Sequence, residues 1–128
     1  MKEEYVSYEC AVKLKELGFD WDVNGYYYDA FSESVAFIST PVNMKALGIT
    51  SAPRLDQAAA WMREEKGIFV GVTYDNNMSN YNPYGFRVQI PMCNDRSALG
   101  FHEYNQALSA GIDKALKFLT IKSNGKWR

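Results

Sequence analysis

The stretch from Ala52 to Tyr74 constrains this chain more than any other. Pro53 suits a helix entrance, where its missing N–H is no loss. Leu55, Ala58, Ala59 and Met62 recur at three- and four-residue spacing and define an inner face, with Trp61 at its flank. Three consecutive alanines let a neighbouring element approach closely. Gly67 stops the helix, and Ile68, Val70, Val72 and Tyr74 fall on one side of a strand. The segment therefore predicts a helix joined to a strand through one glycine.

The same patterns recur on either side. Ser7 can cap a first helix whose stripe is Tyr8, Ala11, Leu14 and Leu17, and Gly18 with Phe19 suits a Schellman ending. Asn24-Gly25 predicts a tight reversal. Tyr26 to Tyr28 and Val35 to Ile38 read as two strands, with Ser32 to Ser34 turning between them. Between Thr40 and Ser51, Asn43 to Leu47 reads either as one helical turn closed by Gly48 or as a loop.

Asp75 to Pro83 is a polar, Asn-rich loop. After it Phe86, Val88, Ile90 and Met92 alternate with polar residues, and Pro91 marks a strand end or an edge. Gly71 marks a bulge or a close approach. Tyr104, Ala107, Leu108, Gly111, Ile112, Ala115, Leu116 and Leu119 hold helical spacing over four turns, and Gly111 on that stripe implies close packing. The expected fold is α+β, in the order α-β-β-α-β-β-α, with an antiparallel sheet of about four strands packed by three helices. A single domain over residues 1–128 is expected, with a loosely held tail from about 121. The two helix–strand–strand units suggest a weak internal repeat.

Composition narrows the function classes. The 128 residues are 47% hydrophobic and 23% charged, which is globular rather than disordered. A net charge of −1 gives no strong electrostatic case for nucleic acid or an anionic membrane. Acids exceed bases eight to five in the first 54 residues, whereas Lys114, Lys117, Lys122, Lys126 and Arg128 make the end basic. No apolar run is long enough to cross a bilayer and no leader is expected, so the expected compartment is the cytoplasm.

Cys10, Cys93 and His102 show no metal-ligand spacing, and no local signature frames either cysteine as a nucleophile. Asp20-x-Asp22-x-Asn24-Gly25 echoes a calcium loop without its closing glutamate. Phosphate-loop, dinucleotide, zinc-protease and serine-hydrolase motifs are absent. Neither a metal nor a cofactor is expected.

The aromatic share is high, at 15% with nine tyrosines. Tyr27 within the tyrosine strand, Tyr81 and Tyr84 in the long loop, Arg87 in the strand after it and Arg63 on the second helix are the candidate binding residues. Tyrosines anchor protein partners or stack on bases at low rotamer cost. The balancing reading is that alternate tyrosines cover a sheet face.

Three patches resemble a known group. Ala52-Pro53-x-Leu55-x-Gln57-Ala58-x-x-Trp61-Met62-Arg63-Glu64-Glu65 is similar to the A-P-T-L-x-x-A-x-x-W-L-R-E core of small phage-like proteins, carried in prophages and mobile elements of gut bacteria. Tyr104-x-x-Ala107-Leu108-x-x-Gly111-Ile112 and Tyr5-Val6-Ser7-Tyr8-Glu9 to Gly18-Phe19 resemble their other helices. Arg54 departs from the pattern, which has Thr at the cap, so either Ser51 begins the helix or its entrance is weaker. The resemblance implies a setting and a fold, and no reaction.

The leading expectation is therefore a non-enzymatic accessory protein that binds another protein or itself, through the Asp75–Gly85 loop and the nearby sheet edge. A single-stranded nucleic-acid binder using tyrosine stacking is the alternative, and a small hydrolase or transferase a third. No membrane partner is expected.

Overall fold

A computed structural model describes residues 5–42, 48–75, 82–93 and 95–123. The chain divides into two compact units, Met1–Ala58 and Ala59–Arg128. The α+β class is as the sequence predicts; among the described residues there are three α-helices and six strands, and the strands form two three-stranded antiparallel sheets. No helix among the described residues is long and apolar enough to cross a membrane.

In the first unit, α1 (Tyr8–Glu16) begins where Ser7 Oγ accepts the Cys10 N–H at 3.2 Å. It ends as predicted. Gly18 takes φ 98°, and the Phe19 N–H returns to Leu14 O at 2.9 Å. The sheet has the order β2 (Phe31–Val42), β1 (Val23–Tyr28), β3 (Ile49–Ser51). Val6, Leu14, Val23 and Tyr27 are buried in this unit.

Asn24-Gly25 makes no reversal. Both residues lie inside β1, and Gly25 pairs with Phe37. A Cβ on Gly25 would stand 2.9 Å from both Ala52 O and Val35 Cγ1, so the glycine is there for close approach. The hairpin turns at Asp29-Ala30 rather than at Ser32–Ser34, which belong to β2. Residues 43–47, the candidate helical turn, lie outside the described residues.

The second helix, α2 (Leu55–Trp61), runs into a π-helical stretch, Met62–Lys66. Of the predicted stripe Leu55, Ala58 and Met62 are buried and Ala59 is half-buried, and Trp61 at its flank is buried as well. Ser51 belongs to β3, so it does not start this helix. Arg54 stands at the entrance, and Gln57 Oε1 accepts its backbone N–H at 3.3 Å. That is one half of a capping box, and the Nε2 of the same amide donates to Asp22 O at 2.9 Å. Gly67, at φ 69°, closes the stretch by donating to Met62 O.

The second unit continues with β4 (Phe69–Tyr74), β5 (Tyr84–Gln89), β6 (Arg96–Phe101) and α3 (Tyr104–Ser123), with β5 central. In the first sheet the central strand is the first in sequence, and in the second it is the middle one. The two units are therefore not a repeat. α3 covers one sheet face, where a Cβ on Gly111 would lie 2.8 Å from Val70 Cγ1 and 3.1 Å from Phe86 Cβ. The close packing inferred from its place on the stripe is present. Gly71 shows neither a bulge nor a close approach, since it pairs in regular register with Arg87 and its Cβ position is open.

Candidate functional site

Successive residues of a strand face opposite sides, and directly paired residues share a side. Val70, Val72, Phe86 and Val88 turn toward α3. The opposite side of the second sheet carries the rungs Phe69–Gln89, Gly71–Arg87–Ser97 and Thr73–Gly85–Leu99. Phe69 is 51% exposed and Leu99 55%, so this side is an open face with apolar residues on both outer strands.

At one end of that face is a groove of about 410 Å³, lined by Gly67, Phe69, Gln89, Ile90, Pro91 and Asp95. Its size falls in the range of small-molecule and side-chain pockets. Phe69 and Pro91 supply apolar walls, the Gln89 amide donates and accepts, and Asp95 brings a carboxylate. Arg87 holds that carboxylate from the neighbouring rung, with Nε at 3.0 Å and Nη2 at 2.7 Å from Asp95 Oδ2. The pair is a surface one, so its worth is orientation more than stability.

The strand ends at Gln89, and a tight turn follows in which the Cys93 N–H donates to Ile90 O at 3.1 Å. Met92 sits on this turn with φ 63°, the one non-glycine residue at positive φ among those described. It is also fully exposed. The alternation Phe86, Val88, Ile90 had placed Met92 inward. Pro91 ends the strand and the next side chain points to solvent instead. Left-handed backbone costs a residue with a Cβ roughly 1–2 kcal/mol. An exposed methionine recovers none of that by burial. Cys93 lines a second cavity of about 100 Å³ with Lys66, Pro91 and Phe118.

Within the second unit, the described candidate binding residues do not share one sheet face. Arg87 lies on the open face. Tyr84 lies on the opposite side of β5, its ring edge-on to Tyr74 at 5.4 Å and to Tyr104 at 6.2 Å. Arg63 is exposed on the π-helical stretch and meets Glu64 at 3.2 Å. Tyr27 is in the core of the first unit, 6% exposed, and its hydroxyl donates to Val6 O at 2.7 Å. It is a packing residue, because a phenol held this way offers no face to a partner. Tyr81 and most of the Asp75–Gly85 loop lie outside the described residues.

Cys10 is buried on α1, while His102 is exposed between β6 and α3. The calcium-loop reading fails because Asn24 is in a strand, where its Nδ2 donates to Ile38 O at 3.0 Å. No cluster of three or more potential metal ligands occurs among the described residues.

A separate polar cluster in the first unit centres on Asp29. Its Oδ1 accepts from Thr50 at 2.8 Å and from the Tyr8 hydroxyl at 3.1 Å. The bond to Asp29 pushes the Tyr8 phenol above its ordinary value, with burial and the carboxylate's charge acting the same way. Tyr26 is pushed up by its contact with the Tyr28 hydroxyl, 3.3 Å away. These groups hold a hairpin end together, since the Asp29 N–H also donates to Gly48 O at 2.9 Å.

Sequence reasoning missed Phe69, Met92, Asp95 and Leu99. Phe69 had a signal, as the large apolar residue on the wrong side of an alternating strand. Leu99 had none, because Arg-Ser-Ala-Leu-Gly-Phe does not alternate. Compared with known proteins, the chain matches no family model, no curated protein and no solved structure at a significant level.

Proposed function

We propose that the chain acts by binding another protein, with the groove between Phe69 and Pro91 and the protruding Met92 as the contact surface. The observation that carries the reading is Met92. A large apolar side chain, fully exposed on left-handed backbone beside a groove, lowers stability without packing in return. Methionine adapts to irregular partner surfaces, and Phe69 in the groove supplies the rigid aromatic face of an anchor. Arg87 and Asp95 form the polar rim.

This suits a small accessory protein of the phage or mobile-element kind that the three helices resemble. A reducing compartment fits two cysteines that are not joined in a disulfide. Nucleic acid is the less favoured partner. Arg54, Arg63 and Arg87 each meet an acidic side chain, which weakens the pull on phosphates at those three positions.

Affinity capture from the native host tests the proposal, with wild type beside Phe69→Ser/Met92→Ser. Removing two anchors should weaken capture of a specific partner by at least about tenfold, the equivalent of roughly 1.4 kcal/mol. Circular dichroism should not change, since both residues are exposed. An identical set of captured proteins would refute the groove as the contact surface.

A further inference from the structure

The second sheet has two outer strands, and they are built differently. β6 carries Arg96, a register shift near Tyr84–Gly85, and Gly100 at φ 94°. Each of these disrupts the flat row of backbone groups that an incoming strand needs. The outer strands of the first sheet are protected too. β2 holds Glu33, Pro41 and register irregularities, and β3 is three residues long. β4 has none of these devices. Phe69–Tyr74 contains no charge and no proline, and it pairs with β5 without a break. Among the described residues, β5 is its one strand partner.

One hydrogen bond tells which backbone groups of β4 face outward. The Asp75 N–H donates to Pro83 O at 2.9 Å, in continuation of the Tyr74–Tyr84 register. Hydrogen-bonding direction alternates along an antiparallel strand. Phe69, Gly71 and Thr73 therefore turn their N–H and C=O groups to β5. Val70, Val72 and Tyr74 turn theirs to the outer edge.

We propose that the β4 edge pairs with the β4 edge of a second copy of this chain, antiparallel about a two-fold axis at Val72. Two three-stranded sheets then join into one of six. Pairing about Val72 is the register that sets all three outward residues of β4 against outward residues of the other copy. Val72 faces its own counterpart, Val70 of one copy faces Tyr74 of the other, and Gly71 faces Thr73. A two-fold contact must be self-complementary in this way. It also brings no like charges together, since Asp75 at the strand end lies opposite Phe69 of the other copy. Tyr74 is exposed and gains a β-branched neighbour across the new rung. The net charge of −1 sets up no long-range repulsion between copies. This inference goes beyond the groove reading and stands apart from it, because its test reads oligomeric state rather than partner capture.

The test is sedimentation velocity on the purified full chain across the micromolar range, with Val72→Pro and Val72→Ala. The N–H of Val72 is not used within its own sheet, so proline removes only the outward donor, and alanine controls for the lost side chain. Wild type and Val72→Ala should sediment as dimers, and Val72→Pro as a monomer with an unchanged circular dichroism spectrum. Mild oxidation of Gly71→Cys mixed with Thr73→Cys should give a disulfide heterodimer, which neither variant forms alone. A wild-type monomer at every concentration overturns the proposal, and so does a dimer that survives Val72→Pro. A chain that is monomeric alone, but loses a captured foreign strand in Val72→Pro, assigns the edge to a different protein and also overturns it.

Discussion

Tyr27 buries a phenol and ties it down at a single point, the Val6 carbonyl. Burial, and secondarily the nearby Cys10, raise its pKa above the ordinary 10.0. A raised folded-state value means that the unfolded chain gives up the proton first. The stabilising contribution is then fully present below about pH 10 and is lost as pH rises through the folded value. Tyr27→Phe should lower stability at pH 8 by about 1–2 kcal/mol, because it leaves a buried carbonyl without its donor. The variant should also lose stability less steeply than wild type above pH 10. Urea midpoints across that range check both statements, and parallel slopes would refute the second. In the sequence the three consecutive tyrosines were indistinguishable. Period-two alternation separates Tyr27 from its neighbours without saying which set faces inward, and only the position of α1 and Val6 decides that.

At the scale of elements, two glycines make opposite predictions. Gly111→Ala gains about 1 kcal/mol of helix propensity but forces a methyl against Val70 and Phe86, an overpacking that costs about 1–3. The net effect should be a loss of about 1 kcal/mol. Gly71→Thr should instead gain about 0.5–1 kcal/mol, since its Cβ position is open and glycine weakens a strand. Denaturant melts of the two variants read the opposite signs directly. The long elements were legible because each carries its own punctuation. Ser7 and Gly18 bracket α1, Gly67 closes the second helix, and α3 holds its stripe to Leu119. β3 and β6 were not legible. β3 is three residues long, and β6 lacks alternation because its wet face carries Leu99. Asn24-Gly25 misled for a physical reason, as a glycine needed for close approach looks in sequence like one needed for a turn.

Across the whole molecule, the α+β class was readable from helix and strand periods, but the division of the six described strands between two sheets was not. Pairing depends on contacts distant in sequence, such as Tyr26 with Ser51, which no local pattern records. Of the proposed contact surface, only Arg87 was legible in the sequence. The features that define it are a proline that ends a strand early and the exposed residue after it. Their meaning appears only once the backbone angle and exposure of Met92 are known. That residue has a counterpart in Met62, which is fully buried at the start of the π-helical stretch. Peroxide converts accessible thioethers to sulfoxides and spares those sealed in a core. The two methionines thus give the folded chain a pair of built-in chemical reporters. Met92 should oxidise at the rate of a free methionine and slow when a partner occupies the groove. Met62 should oxidise only as fast as the structure around it opens. Peptide mass spectrometry after a timed peroxide pulse would read both from one sample.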